Sequence, residues 1–320
     1  MPDVIASGEL LIDFVPETSG VTLAGTTTFK KSPGGAPANV AVGLARLGVS
    51  SGFMGKVGDD AFGHYLAETL HDNGVDVSRL LFSAEARTML AFVTLDTAGE
   101  REFMFYRNPS ADMLYSPEEV DTAYVESAKI FHFGSISLIS EPSSIATLKA
   151  VTTAREAGVL VSYDPNLRLN LWESAQVARE TIMKAWTMAH IIKVSEDELA
   201  FLNEVISVDD SEQLVRAMWH PELRLLVVTR GSGGCDYFTP DYARMVEGFP
   251  ADAVDTTGAG DAFVAALLKC LLDYPDIYEN SDRLHQVCRY ANAAGAIATT
   301  ERGAIPALPG EDQIEKLLET

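Results

Sequence analysis

Asp255-Thr256-Thr257-Gly258-Ala259-Gly260-Asp261 runs straight into Ala262-Phe263-Val264-Ala265-Ala266-Leu267-Leu268. The two glycines allow a tight turn without a Cβ penalty, and the apolar run after them reads as a buried helix. The start of such a helix presents free backbone N–H groups, and its dipole favours negative charge there. Asp261 falls in the first helical turn, beside those donors. An anion hole next to a carboxylate suits phosphoryl transfer. The amides hold the migrating group while the carboxylate takes a proton from the attacking hydroxyl. Taken alone, Gly-Ala-Gly-Asp serves equally as a turn followed by a first-turn acid that complements the dipole. The rest of the chain has to decide between these.

Working back from that stretch, the pattern over residues 129–229 alternates apolar strands with helices. Strands are expected over 129–134, 159–164, 190–194 and 224–229, and helices over 141–157, 174–186, 196–203 and 211–219. Continuous apolar strands alternating with helices make an α/β fold, a parallel sheet covered on both faces. Ligands of such sheets bind outside the carboxyl ends of the strands. Polar residues recur there: Asp164, Asn166 and Arg168, then Lys193 and Ser195, then Thr229 and Gly231. Each alone is an ordinary loop residue; their repetition at one end of successive strands is what informs.

Nearer the N-terminus, residues 4–15 read as one buried strand carrying Glu9 and Asp13. Pro33-Gly34-Gly35-Ala36-Pro37 then opens a helix of small residues in which Asn39 stands where packing alone would prefer an aliphatic side chain. A capping role is the plainer account of Asn39. A strand over 51–57 and a helix over 61–73 follow. Residues 88–96 and 100–107 alternate about Asp96-Thr97-Ala98-Gly99, a β-hairpin signature carrying Phe92, Phe103 and Phe105. A hairpin that apolar needs a partner surface: a ligand cleft, a second subunit, or both. No repeat or linker interrupts the chain, which reads as a single domain over 1–320.

Composition narrows the partners. The formal net charge of −22 over 320 residues argues against nucleic acid or an anionic membrane surface. Cys235, Cys270 and Cys288 are widely spaced and read as buried thiols in a reducing compartment. The six histidines show no metal-ligand spacing, so no zinc site is expected. With no secretory leader or bilayer-length apolar run, the expected compartment is cytoplasmic. There is no Gly-x-x-x-x-Gly-Lys-Ser/Thr loop, since Val57 follows Gly55-Lys56, and no Gly-x-Gly-x-x-Gly on the first strand.

With these residues assembled, the chain resembles the ribokinase-like (PfkB) family of carbohydrate kinases. Two signatures carry the resemblance: Gly34-Gly35-Ala36-Pro37-Ala38-Asn39-Val40-Ala41, and Asp255-Thr256-Thr257-Gly258-Ala259-Gly260-Asp261-Ala262-Phe263. Within the family, Gly8 to Phe14, Tyr106 to Asp112, Phe131 to Ser135 and Asp164-Pro165-Asn166-Leu167-Arg168 look like a fructokinase. The resemblance implies a three-layer, doubly wound, mostly parallel sheet with a small β-strand lid formed by about 14–33 and 88–110. It also implies roles. Asp261 would be the base, and the Gly258, Ala259 and Gly260 amides would hold the phosphoryl group with Arg168 nearby. Asp13, Gly34, Gly35, Asn39 and Arg107 would bind the sugar, with Phe92 and Phe103 closing over it. Lys193, Thr229, Gly231, Gly234 and Asn292 would flank ATP.

Glu198 matches the acid of an Asn-x-x-Glu motif that organises Mg²⁺ through water, although Ser195 stands where the Asn belongs. Asp255 and Thr257, with carbonyls near Ala298, Gly303 and Ala307, match a monovalent-cation site, for which K⁺ is the expected ion. The implied activity is ATP-dependent phosphorylation of fructose by a homodimer paired through the lid. Two rivals remain. A 2-keto-3-deoxygluconate kinase would use Tyr106-Arg107 and Arg168 to clamp a carboxylate. A non-catalytic sugar-binding relative would lack the base or the anion hole.

Overall fold

Gly8 divides the first apolar run. In the computed structural model, residues 4–15 form two strands rather than the one expected: β1 (Val4–Ser7) and β2 (Leu11–Pro16). Gly8 sits between them at φ +153°, where a Cβ would lie 2.7 Å from Pro37 Cγ. The two strands belong to different sheets. The structure describes residues 1–17, 20–95, 101–205, 207, 208, 210–274 and 277–319, and only the backbone of 94, 95 and 101–103. The expected hairpin turn at 96–99 lies outside the described residues.

The remaining strands are β3 (Phe29–Gly34), β4 (Ser51–Gly58), β5 (Asp76–Ser83), β6 (Met89–Leu95), β7 (Arg101–Tyr106), β8 (Ile130–Gly134), β9 (Leu160–Asp164), β10 (Ile191–Ser195), β11 (Leu225–Thr229), β12 (Cys235–Phe238) and β13 (Ala243–Val246). The helices are α1 (Ala36–Arg46), α2 (Ala61–Asp72), α3 (Thr122–Glu126), α4 (Ser143–Glu156), α5 (Ala175–Trp186), α6 (Glu196–Asn203), α7 (Ser211–Ala217), α8 (Ala259–Asp273), α9 (Ser281–Ala298), α10 (Ala304–Ala307) and α11 (Glu311–Leu318).

Among the described residues, the larger sheet has nine strands in the order β13-β12-β11-β10-β9-β8-β1-β4-β5, parallel except at the β11–β12–β13 edge. Its central strands are buried on both faces, which is why they read as continuous apolar runs. Alternation divides the core in two. Val4 and Ala6 pack with α1, α2, α8 and α9, while Ile5 packs with α4 and α5. The result is a three-layer α/β fold. The antiparallel pair β12–β13 and strand β5 were not expected. Their side chains give no long apolar run, and Ala243, Arg244 and Met245 on the edge strand β13 are exposed.

The smaller sheet, β3-β2-β6-β7, holds the expected hairpin β6–β7 beside two strands from the N-terminal region. Cys235, Cys270 and Cys288 are buried free thiols. Among the described residues no helix is long and apolar enough to cross a membrane.

Candidate active site

α8 begins at Gly258, which caps it in the left-handed region at φ +82°. Ala262 N–H closes onto the Gly258 carbonyl at 2.8 Å, so the first intrahelical bond belongs to Ala262. The N–H groups of Gly260 and Asp261 precede it and have no helical acceptor. Ala259 departs from the expected arrangement: its N–H turns back to the Thr256 carbonyl at 3.3 Å.

α1 brings the second signature to this turn. A Cβ at Gly43 would stand 2.7 Å from Ala265 Cβ, so a glycine there lets α1 and α8 approach closely. One turn earlier, Asn39 Nδ2 donates to Asp261 Oδ2 at 2.7 Å across 222 residues of sequence. Asn39 is therefore not the helix cap its position suggests: Gly35 caps α1, without a side-chain hydrogen bond. Its Oδ1 is buried without a partner. Asp261 is 6% exposed, and burial pushes its pKa up to about 6. The Asn39 hydrogen bond and the charges of Lys193 and Arg168 pull the other way, and Asp164 reinforces the rise.

Both residues line a cleft of about 790 Å³ at the carboxyl ends of the central strands. Gly35, Asp13, Arg168, Lys193, Thr229 and Gly231 also face it. Gly35 has φ +113°, and a Cβ there would collide with the Glu9 carbonyl. A Cβ at Gly34 would collide with the Asp13 carboxylate, so the pair leaves Asp13 its place on the cleft wall. Gly35→Ala is expected to cost roughly 2–4 kcal/mol through strain and overlap. An unchanged melting temperature would contradict that reading of the Gly35 contact. Glu9 was given no role from sequence. It lines the same wall, accepts from Ala36 N–H at 3.0 Å, and burial pushes its pKa up to about 7.

Two of the expected sugar contacts are corrected. Phe92 faces away from the cleft, stacking on Phe14 at 4.9 Å and meeting Phe29 and Tyr106 edge-on. The register pairs Asp13 with Ala91, and Ala91 with Phe105, so Phe105 takes the cleft side. Phe103 stands on β7 with the parity of Phe105; its side chain lies outside the described residues. Arg107 does not line the cleft. Its guanidinium is buried in an ion pair with Asp112 at 3.0 Å and donates to the Ile136 carbonyl at 3.2 Å.

On the other side, Gly231, Gly234 and Asn292 border an adjoining hollow of about 390 Å³, together with Phe249 and Phe263. The two spaces share Thr229, Gly231, Thr256 and Gly260, so the α8 turn stands where they meet. Asn292 Nδ2 donates to the Val246 and Glu247 carbonyls, fixing the β13 end of this hollow.

Glu198 lines the cleft with both oxygens accepting backbone N–H groups, from Leu167 at 2.6 Å and Ser195 at 2.8 Å. Ser195, the departure from the Asn motif, caps α6 through its own hydroxyl at 3.1 Å from Glu198 N. A carboxylate keeps further lone pairs after one bond per oxygen, and the Glu196, Asp197 and Glu198 carboxylates on this stretch of the cleft wall suit a hard cation that retains its water. The donor set fits Mg²⁺, which phosphates and water would mainly hold. Among the described residues no three His, Cys, Asp or Glu gather as a metal-holding group. Asp255 accepts from Thr257 N–H and Oγ1 through one oxygen and from Gly303 N–H through the other. The Val254 and Asp255 amides both reach the Thr299 carbonyl, next to Ala298. Ala307 closes α10, which starts just after Gly303.

A family model described as "pfkB family carbohydrate kinase" matches residues 1–310. The chain belongs to the pfkB family of carbohydrate kinases. It is 55% identical to a probable fructokinase-4 of Arabidopsis thaliana over 315 residues, covering 98% of this chain and 96% of that protein. The fold matches a crystal structure of a Xylella fastidiosa fructokinase with bound ATP, at a TM-score of 0.90 and 32% identity, covering 100% and 99% of the two chains. It also matches a Vibrio cholerae fructokinase in its fructose, ADP and calcium ion bound form, at 0.89 and 37%, over 99% of each chain. The α/β architecture with its small second sheet is thus that of pfkB kinases from end to end.

Proposed function

We propose that this chain is an ATP-dependent fructokinase, transferring the terminal phosphoryl group of ATP to the C6 hydroxyl of D-fructose to give fructose 6-phosphate and ADP. The observation that carries the proposal is the buried Asp261 carboxylate beside the open amides of the α8 turn, in a chain more than half identical to a fructokinase. Asp261 takes the proton of the attacking hydroxyl. The open amides of Gly260 and Asp261, with Arg168, steady the phosphoryl group in flight, and positioning supplies much of the rate. Asp13, Gly34, Gly35 and Asn39 hold the sugar, and Phe105 takes the place first given to Phe92. Lys193, Thr229, Gly231, Gly234 and Asn292 border the nucleotide. Glu198 would hold Mg²⁺ through water, where the ion would supply positive charge to the phosphates. The Asp255, Thr257 and Gly303 loops would hold K⁺, and its charge would steady the turn before α8.

The keto-acid alternative needs Arg107 as a carboxylate clamp, and Arg107 is committed to Asp112 and a backbone carbonyl. A non-catalytic relative would lack the base or the glycine turn; both are present. The segments 14–33 and 88–110 act as a lid within a single domain over 1–320. The outer face of its sheet bears Phe29, Phe92, Met104 and Tyr106, the last two exposed, and is the surface through which two copies would pair. The working compartment would be cytoplasmic.

A coupled assay of a sugar panel with ATP and Mg²⁺, with and without K⁺, tests the proposal. The highest kcat/KM should fall on fructose, with a rate increase on adding K⁺. A higher kcat/KM on 2-keto-3-deoxygluconate would overturn the substrate. Because the base works ionised and burial sets its pKa near 6, kcat/KM should fall about tenfold per pH unit below about pH 6. A flat profile down to pH 5 would remove Asp261 from the role.

A further inference from the structure

Asp164 ends the central strand β9, is 3% exposed and reaches in two directions. Its Oδ2 accepts from Lys193 Nζ at 3.1 Å; both side chains are at least nine-tenths buried. The parallel register explains the meeting. Ile191 and Ile192 of β10 pair with Ser162 and Tyr163, so the next residues along, Lys193 and Asp164, fall side by side. An ammonium carries three donors, and Asp164 occupies one. The Lys193 ammonium also stands against the α8 turn: a methyl placed on Gly260 would lie 3.0 Å from Nζ. Burial alone would drive Lys193 towards neutrality, but the carboxylates of Asp164, Glu198 and Asp261 outweigh it and hold the pKa above its ordinary value.

The second oxygen does different work. Asp164 Oδ1 accepts from Asn166 N–H at 3.0 Å, closing a short turn in which Asn166 takes φ +44°. That bend reverses the chain so that Arg168 enters the cleft two residues later. Leu167 N–H, bonded to Glu198, pins the same loop from α6.

We propose that Asp164 is a positioning residue for phosphoryl transfer: one oxygen keeps the Lys193 ammonium aimed at the Gly258–Asp261 turn, and the other fixes the Asn166 bend that delivers Arg168 to that turn. The inference rests on the kinase reading above. It makes Asp164 a hub that sets two cations around one anion without touching the anion itself.

A double-mutant cycle reads this directly. Asp164→Asn keeps an acceptor for Asn166 N–H while removing the charge that holds Lys193, so it isolates the first arm. Asp164→Asn and Lys193→Met should each lower kcat about 10²-fold with KM for fructose within about threefold, and the double variant should be no slower than Lys193→Met by more than about threefold. Asp164→Asn strands a buried ammonium and should lower the melting temperature, whereas the double variant should recover much of it. If Asp164→Asn does not fold, Lys193→Met and the double variant still make the comparison. In the Lys193→Met background, Asp164→Ala should lose a further part of kcat that Asp164→Asn does not, because it also frees the Asn166 bend. Multiplying losses, or Asp164→Asn turnover within threefold of wild type, would overturn the proposal. Wild-type protein without activity on fructose would instead overturn the fructokinase reading.

Discussion

Asp261→Asn lowers kcat for fructose phosphorylation by about 10²–10⁴-fold, the range a positioned general base supplies, and raises the melting temperature at neutral pH. Both effects come from one fact, a carboxylate buried where solvent cannot help it. Folding raises its pKa from 3.8 to about 6. A carboxyl shifted that way favours the fold fully below its unfolded pKa, and the benefit is lost as pH rises through about 6. At pH 7 to 8 the fold therefore carries an ionised group it disfavours, at a cost on the order of a few kcal/mol. Asparagine removes that charge and can still accept from Asn39 Nδ2. Steady-state kinetics and thermal unfolding at pH 7.5 and pH 5 check both halves; the gain in melting temperature should shrink at the lower pH. Turnover within a few-fold of wild type would refute the base.

Gly260→Ala separates catalysis from stability in a second way. Gly260 lies inside α8 with an ordinary helical backbone, so alanine meets no backbone strain there and its helical preference offsets part of a tight side-chain contact, leaving stability within about 1–2 kcal/mol of wild type. The new methyl, however, would stand 3.0 Å from Lys193 Nζ, in the space between the open amide and the ammonium. Lys193 cannot swing aside cheaply while it is tied to Asp164. If the migrating phosphoryl group occupies that space, kcat should fall about 10²–10³-fold, the loss typical of one oxyanion-hole donor. Isothermal titration should show fructose binding little changed. A variant as active as wild type would mean the phosphoryl group passes elsewhere.

Much of this site was legible before any coordinates. Side chains at the carboxyl ends of parallel strands converge by topology, so Asp164, Arg168, Lys193 and Thr229 group together from strand periodicity alone; the last three line the cleft and Asp164 pairs with Lys193. The glycines of the α8 turn announced themselves because a tight turn before a buried helix tolerates little else. What escaped depended on parity and on partners. Phe92 and Phe105 look alike in sequence, and only the pairing of β6 with β2 and β7 decides which of them meets the cleft. Arg107 carries no mark of its partner in the sequence; the fold buries it together with Asp112, and burial of both makes the pair. Glu9 was read as part of one strand with Asp13. The connection over residues 8–10 carries Glu9, held by the α1 amide, while Asp13 stands on β2 in the second sheet. The antiparallel edge β12–β13 has an exposed outer strand, so nothing in its hydropathy marked it.

The account comes down to where one phosphoryl group travels. A crystal structure of this protein with fructose and a non-hydrolysable ATP analogue should put the terminal phosphate against the Gly260 and Asp261 amides. The C6 oxygen should lie within about 2.6–3.2 Å of an Asp261 carboxylate oxygen, with Lys193 Nζ on the far side of the phosphate. A sugar seated with its C6 hydroxyl turned away from Asp261, or a terminal phosphate bound away from the α8 turn, would contradict it.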